Sequence, residues 1–123
     1  MQVDLLAILG DAMWILVLAT IASSSRRLSQ ALPPGVRLPM QWSLTRKPAW
    51  RAPQRLAFTL MVGVPLLVGL TLSTIARDPR IGPQGDLIVF LVRAVVAPLH
   101  MLIHWGWMRA VARTLEAEGA LKP

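Results

Sequence analysis

Residues Leu56–Ala76 read LAFTLMVGVPLLVGLTLSTIA, an apolar run that contains no charged side chain. A helix rises ~1.5 Å per residue, so a run of this length matches the ~30 Å hydrocarbon core of a bilayer. Gly63, Pro65 and Gly69 would argue against such a helix in water. In lipid the alternative is unpaired backbone, so the helix persists and Pro65 predicts a kink. Two comparable runs flank this one. Leu5–Ala22 is interrupted by Gly10, Asp11 and Thr20, and Leu87–Met108 contains Arg93, Pro98, His100 and His104. The expected fold is therefore all-α, an integral membrane protein with three transmembrane helices. A single domain fills residues 1–123, with spans over residues 5–22, 56–76 and 87–108.

Composition agrees with that reading. Of 123 residues, 54% are hydrophobic, and the mean hydropathy is +0.54. The polar residues needed to cover a soluble domain are crowded into a few segments instead. The net charge of +7 invites a nucleic-acid reading, but its placement points away from one. Cationic loops beside spans stay on the cytoplasmic side and lie against anionic headgroups. Cysteine is absent, which excludes disulfides, thiol catalysis and zinc–thiolate sites. Met1-Gln2-Val3-Asp4 lacks a positive n-region, so the first run is expected to be a retained span rather than a cleaved leader.

The loop over residues 23–55 carries Pro33, Pro34, Pro39, Pro48 and Pro53, and is expected to be extended or turn-rich. It also carries Arg26, Arg27, Arg37, Arg46, Lys47, Arg51 and Arg55, with no acidic residue. Trp42 and Trp50 suit the interfacial level. Arg26, Arg27, Arg46, Lys47, Arg51 and Arg55 are the candidate contacts to membrane lipid headgroups or a partner. The second link, residues 77–86, is a Pro- and Gly-containing turn. The third helix is expected to continue past its span through Arg109, Arg113 and Glu116, with Gly119 as its stop.

Orientation follows from the basic residues. The first loop and the tail (Arg109, Arg113, Lys122) lie on one side of a three-span chain and hold ten Lys or Arg, against Arg77 and Arg80 in the second link. The N-terminus is expected outside and the C-terminus in the cytoplasm.

Ionisable groups in hydrocarbon cost roughly 2.5–3.5 kcal/mol each on insertion scales, and normally face a partner or water. Asp11 and Arg93 each lie six residues into their spans, which run in the same direction. They therefore sit at similar depth, roughly 9 Å below one surface, and an Asp11–Arg93 ion pair is expected, with Thr71 or Ser73 nearby. It reads as a structural clamp, as part of an ion or proton path, or as Arg93 snorkelling alone. His100 and His104 share a helix face, Arg93 lying on the same stripe. They read as interfacial histidines beside Trp105 and Trp107, as a proton relay, or as two ligands of a metal site that lacks a third. No metal and no cofactor is expected.

Other features carry less chemistry. Met40, Met61 and Met101 read as packing residues. Ser23-Ser24-Ser25 reads as a helix end rather than a nucleophile, since no histidine is tied to it in sequence. Gly63, Gly69, Ala94, Ala97 and Gly106 would let helices approach closely, within the chain, in a homo-oligomer or against a larger membrane partner. No acid/base or nucleophile constellation assembles, so the chain is expected not to be an enzyme.

The stretch Leu38-Pro39-Met40-Gln41-Trp42-Ser43-Leu44-Thr45-Arg46-Lys47-Pro48-Ala49-Trp50 resembles the loop between the first two spans of a bacterial membrane domain of unknown function. That domain often forms the N-terminal half of Sdp-type toxin-immunity proteins. Pro39, Met40, Trp42, Leu44 and Pro48 fit its pattern. Gln41, Arg46 and Ala49 replace the His, Gly and Asp that the family tends to carry. The resemblance implies a multi-pass bacterial inner-membrane protein with no established enzymatic activity and a role in immunity or signalling. Together these readings give a non-enzymatic accessory, sensing or immunity-type membrane protein, with a small oligomeric ion or proton transporter or channel as the alternative.

Overall fold

The computed structural model describes residues 4–45 and 47–120. Three long helices dominate: α1 (Leu5–Ala31), α2 (Gln54–Ala76) and α3 (Gly82–Ala117), the last entered through a single 3-10 turn at Pro79–Ile81. All three are long and apolar enough to cross a membrane. Between α1 and α2 lies an antiparallel hairpin, β1 (Leu38–Trp42) and β2 (Pro48–Ala52).

Helix ends depart from the expected spans in a physically readable way. The 23 residues of α2 make a rod of about 35 Å, close to the thickness of the hydrocarbon core plus its edges. By the same arithmetic α1, at 27 residues, is about 40 Å long and α3, at 36 residues, about 54 Å. Both overrun at their C-terminal ends, and α3 also begins early, so the link expected as a turn over residues 77–86 is helical from Gly82 onward. The serines at 23–25 do not end α1. It continues through Arg26 and Arg27 because the first proline comes only at Pro33 and because Ser24 and Ser25 are buried against its neighbours. The segment read as one basic loop therefore divides into a helical extension and a hairpin.

The hairpin folds onto the overrun of α3. Leu32, Leu38, Ala52, Ala57, Trp107, Val111 and Leu115 form one apolar cluster there, with Phe58 and Met61 packed against it. Trp107, assigned by sequence to the membrane interface, is buried under this cap, and its indole N–H donates to the Pro39 carbonyl at 3.2 Å. Farther along, the Trp42 indole donates to Thr114 Oγ1 at 2.9 Å. Arg51 closes an ion pair with Glu118 at 2.5 Å. The hairpin is thus tied to the C-terminal part of α3 from Trp107 to Glu118. Pro39 and Pro48 are tolerated because the ladder is short, all edge, and irregular between Pro39 and Gln41. Gly119, at φ 73°, ends the third helix in the left-handed conformation that glycine adopts at no steric cost.

Within the bilayer, α1 and α3 meet along a heptad-like seam. Ala7, Gly10, Trp14 and Ile21 of α1 and Arg93, Ala97 and His104 of α3 are buried, at spacings of three, four or seven residues that keep one stripe of each helix inward. Gly69 and Ala97 are buried in helix contacts as expected of small residues, whereas a Cβ on Gly63 or Gly106 would meet nothing within 4 Å. Those two glycines permit no close approach inside this chain.

Candidate functional site

The polar groups of the spans gather along the α1–α3 seam. At its N-terminal end Asp11 and Arg93 are brought together as an ion pair. Arg93 is almost wholly enclosed, at 1% exposure, and its guanidinium also donates to the Ala7 carbonyl at 3.3 Å. Room for it comes from Gly10, where a Cβ would lie 2.6 Å from the guanidinium. The Arg93 Nε has no partner among the described residues, so the buried charge rests on Asp11 and one carbonyl.

Asp11 is shared. Its other oxygen accepts from Arg77 Nη2 at 2.5 Å. Arg77 folds back from the end of α2, held by Ser73 Oγ at 2.7 Å. Of the two hydroxyls expected near the pair, Ser73 is thus joined to it. Thr71 instead donates to the Leu67 carbonyl one turn back, at 2.8 Å, the usual way a threonine satisfies itself in a span. Arg77 was missed as a partner because its sequence position lies outside the span. An arginine stem is long enough to carry the charge a turn back along its own helix. One carboxylate therefore faces two guanidinium groups.

Halfway along the seam, Trp14 fills the gap between α1 and α2. Its indole N–H donates to the Pro65 carbonyl at 2.9 Å, and Gly69 leaves the space it occupies, since a Cβ there would sit 2.0 Å from the indole nitrogen. His100 packs its ring against Trp14, centroids 5.5 Å apart, with Nδ1 2.9 Å from the Val96 carbonyl. The His104 ring is buried and its Nε2 lies 3.4 Å from Ser25 Oγ. This contact corrects the reading that no histidine is tied to the serine run: helix packing brings together residues 79 apart in sequence. The two histidines turn to different neighbours, and among the described residues no group of three His, Asp or Glu forms a metal-binding cluster.

The expected lipid-contact cations divide. Arg26, Arg27, Lys47 and Arg55 are exposed and make no ion pair among the described residues. Arg51 instead straps the hairpin to Glu118, whose carboxyl the Arg51 guanidinium holds below the ordinary value for a glutamate. Arg46 lies outside the described residues, as does Lys122 of the tail. Arg109, counted from sequence only for orientation, faces Arg27 across a groove between α1 and α3.

No family model, curated protein or solved structure matches the chain.

Proposed function

We propose that this chain is a non-enzymatic accessory protein of a bacterial inner membrane, of the sensing or immunity type. Its basic cap sits on the cytoplasmic side, against anionic headgroups and within reach of an acidic partner. One observation carries the reading, the one-ended distribution of charge. The cap end exposes Arg26, Arg27, Arg37, Lys47, Arg55, Arg109 and Arg113, while the opposite end mixes Arg77 and Arg80 with Asp4, Asp78 and Asp86. Arg80 is internally matched by Asp78 at 2.7 Å. Unmatched cations concentrated at one end favour the cytoplasmic face and its anionic leaflet. Protein in nanodiscs should show hydrogen exchange over residues 32–52 that slows as phosphatidylglycerol replaces phosphatidylcholine, and that recovers with salt. Replacing Arg26, Lys47 and Arg55 by Gln should abolish the difference. Equal exchange in the two lipids would overturn the reading.

The polar seam favours a second reading, a small oligomeric ion or proton transporter built on Asp11, Arg93 and His100. Arg93 and Asp11 are joined by hydrogen bonding, but Ala97 and Trp14 separate them from His100, and no hydrogen bond among the described residues links His100 to Ser25–His104. A structural clamp is the simpler account. Removing one partner from a buried pair strands a charge and costs about 3–5 kcal/mol. Asp11→Asn should therefore lower thermal stability in detergent, while proteoliposomes of wild type and variant alike show no proton flux across a pH gradient. Wild-type flux that Asp11→Asn abolishes would promote the transporter instead.

A further inference from the structure

Where α1 and α3 emerge from the bilayer they part to leave a groove of about 590 Å³, lined by Ser24, Arg27, Leu28, Trp105, Met108 and Arg109. Its depth is set by its own residues. Trp105 lies in the last turn of the third span and is half-exposed, and an indole at the end of a span suits the headgroup level. On α1, Ser24 and Arg27 follow the last apolar residues of the first span at the same height. Arg27 and Arg109 come from two different helices, both exposed, and neither has an acidic partner among the described residues. Two guanidinium groups lining one groove repel each other unless an anion lies between them, and guanidinium forks fit phosphate oxygens bidentately. The floor is not polar throughout: Leu28 and Met108 are partly covered apolar side chains, and Ser24 is nearly buried at 8% exposure. A volume of this size lies within the ~300–1,000 Å³ range of small-ligand sites.

We infer that this groove is a specific site for the phosphodiester of one anionic phospholipid, with Arg27 and Arg109 gripping the phosphate. Ser24 donates a hydroxyl hydrogen, and Trp105, Leu28 and Met108 lie against the glycerol and the first acyl carbons. The inference deepens the reading of the basic cap and rests on it for the side of the membrane. It differs in claiming a stoichiometric site rather than a diffuse cationic surface. It also recruits Ser24 and Trp105, which carry no charge, and leaves out Arg26 and Arg55.

The test is native mass spectrometry of the detergent-solubilised full chain, titrated with phosphatidylglycerol, phosphatidylcholine or inorganic phosphate. A single high-affinity phosphatidylglycerol adduct is expected. Arg27→Gln with Arg109→Gln should weaken it at least about tenfold, whereas Arg26→Gln with Arg55→Gln should change it less than about twofold. Both pairs are exposed, so the fold should survive, and unchanged thermal unfolding checks that. If the two double variants lose lipid equally, the specific site is refuted while the diffuse basic cap stands. If neither loses any, both readings fail. Binding of phosphatidylcholine or inorganic phosphate as tight as that of phosphatidylglycerol would also overturn the assignment to an anionic lipid.

Discussion

At the scale of single residues, two glycines make the room that the bundle's buried polar contacts need. Gly10 admits the Arg93 guanidinium and Gly69 admits the Trp14 indole. An alanine at residue 69 would put a methyl group 2.0 Å from a ring nitrogen that is hydrogen-bonded and enclosed. The indole cannot move without giving up the Pro65 carbonyl. Overpacking of this kind costs about 1–3 kcal/mol, so Gly69→Ala should lower the midpoint of thermal unfolding in detergent. Gly63→Ala, on the same helix with open space around it, should change stability by less than about 0.5 kcal/mol. Equal effects at the two positions would contradict the packing described. The Asp11–Arg93 pair was legible in sequence because span depth is a matter of counting residues. The roles of Gly10 and Gly69 were not, because a glycine reveals a close approach only when the partner helix and its rotation are known. Ser25 and His104 stayed apart in the sequence reading for the same reason.

At the scale of elements, the helices and the hairpin differ in how far the sequence reveals them. Three helices follow from three apolar runs, and Gly119 ends the third as its chemistry requires. The hairpin was invisible as strand, since Pro39 and Pro48 argue against a ladder and the segment alternates only briefly. What makes it form is tertiary: Leu38 and Ala52 are buried against Trp107 and Val111, and Trp42 and Arg51 are tied to α3. The Arg51–Glu118 strap has a definite pH dependence. Hydrogen bonding from Arg51 lowers the Glu118 carboxyl from the ordinary value of 4.5. A depressed carboxylate contributes fully above that value and loses its contribution as pH falls through its folded one. Glu118 is 43% exposed, so screening limits the effect to about 0.5 kcal/mol. Docking of residues 38–52 should hold from neutral pH down to about 4.5 and loosen below it. Glu118→Gln at neutral pH should reproduce the faster hydrogen exchange of the hairpin. Exchange insensitive to Glu118→Gln would mean that the apolar cluster alone holds the hairpin.

The molecule as a whole is a three-span bundle whose two ends differ in kind: a compact, cation-rich cap built on the overrun of α1 and α3, and a short, charge-balanced link opposite it. The asymmetry could be seen in sequence as a count of basic residues, but its consequence could not. Arg27 and Arg109 are 82 positions apart in the chain and share a groove only because parallel helices emerge side by side. The natural absence of cysteine makes the arrangement directly measurable. Single cysteines placed at Ser43, Gln84 and Glu116 would be challenged in intact cells with a membrane-impermeant maleimide, then again after permeabilisation. Residue 84 should be labelled from outside, and residues 43 and 116 only once the membrane is opened. Labelling of 43 and 84 from the same side would contradict a three-span bundle, and labelling of 43 and 116 from outside with 84 protected would invert its orientation.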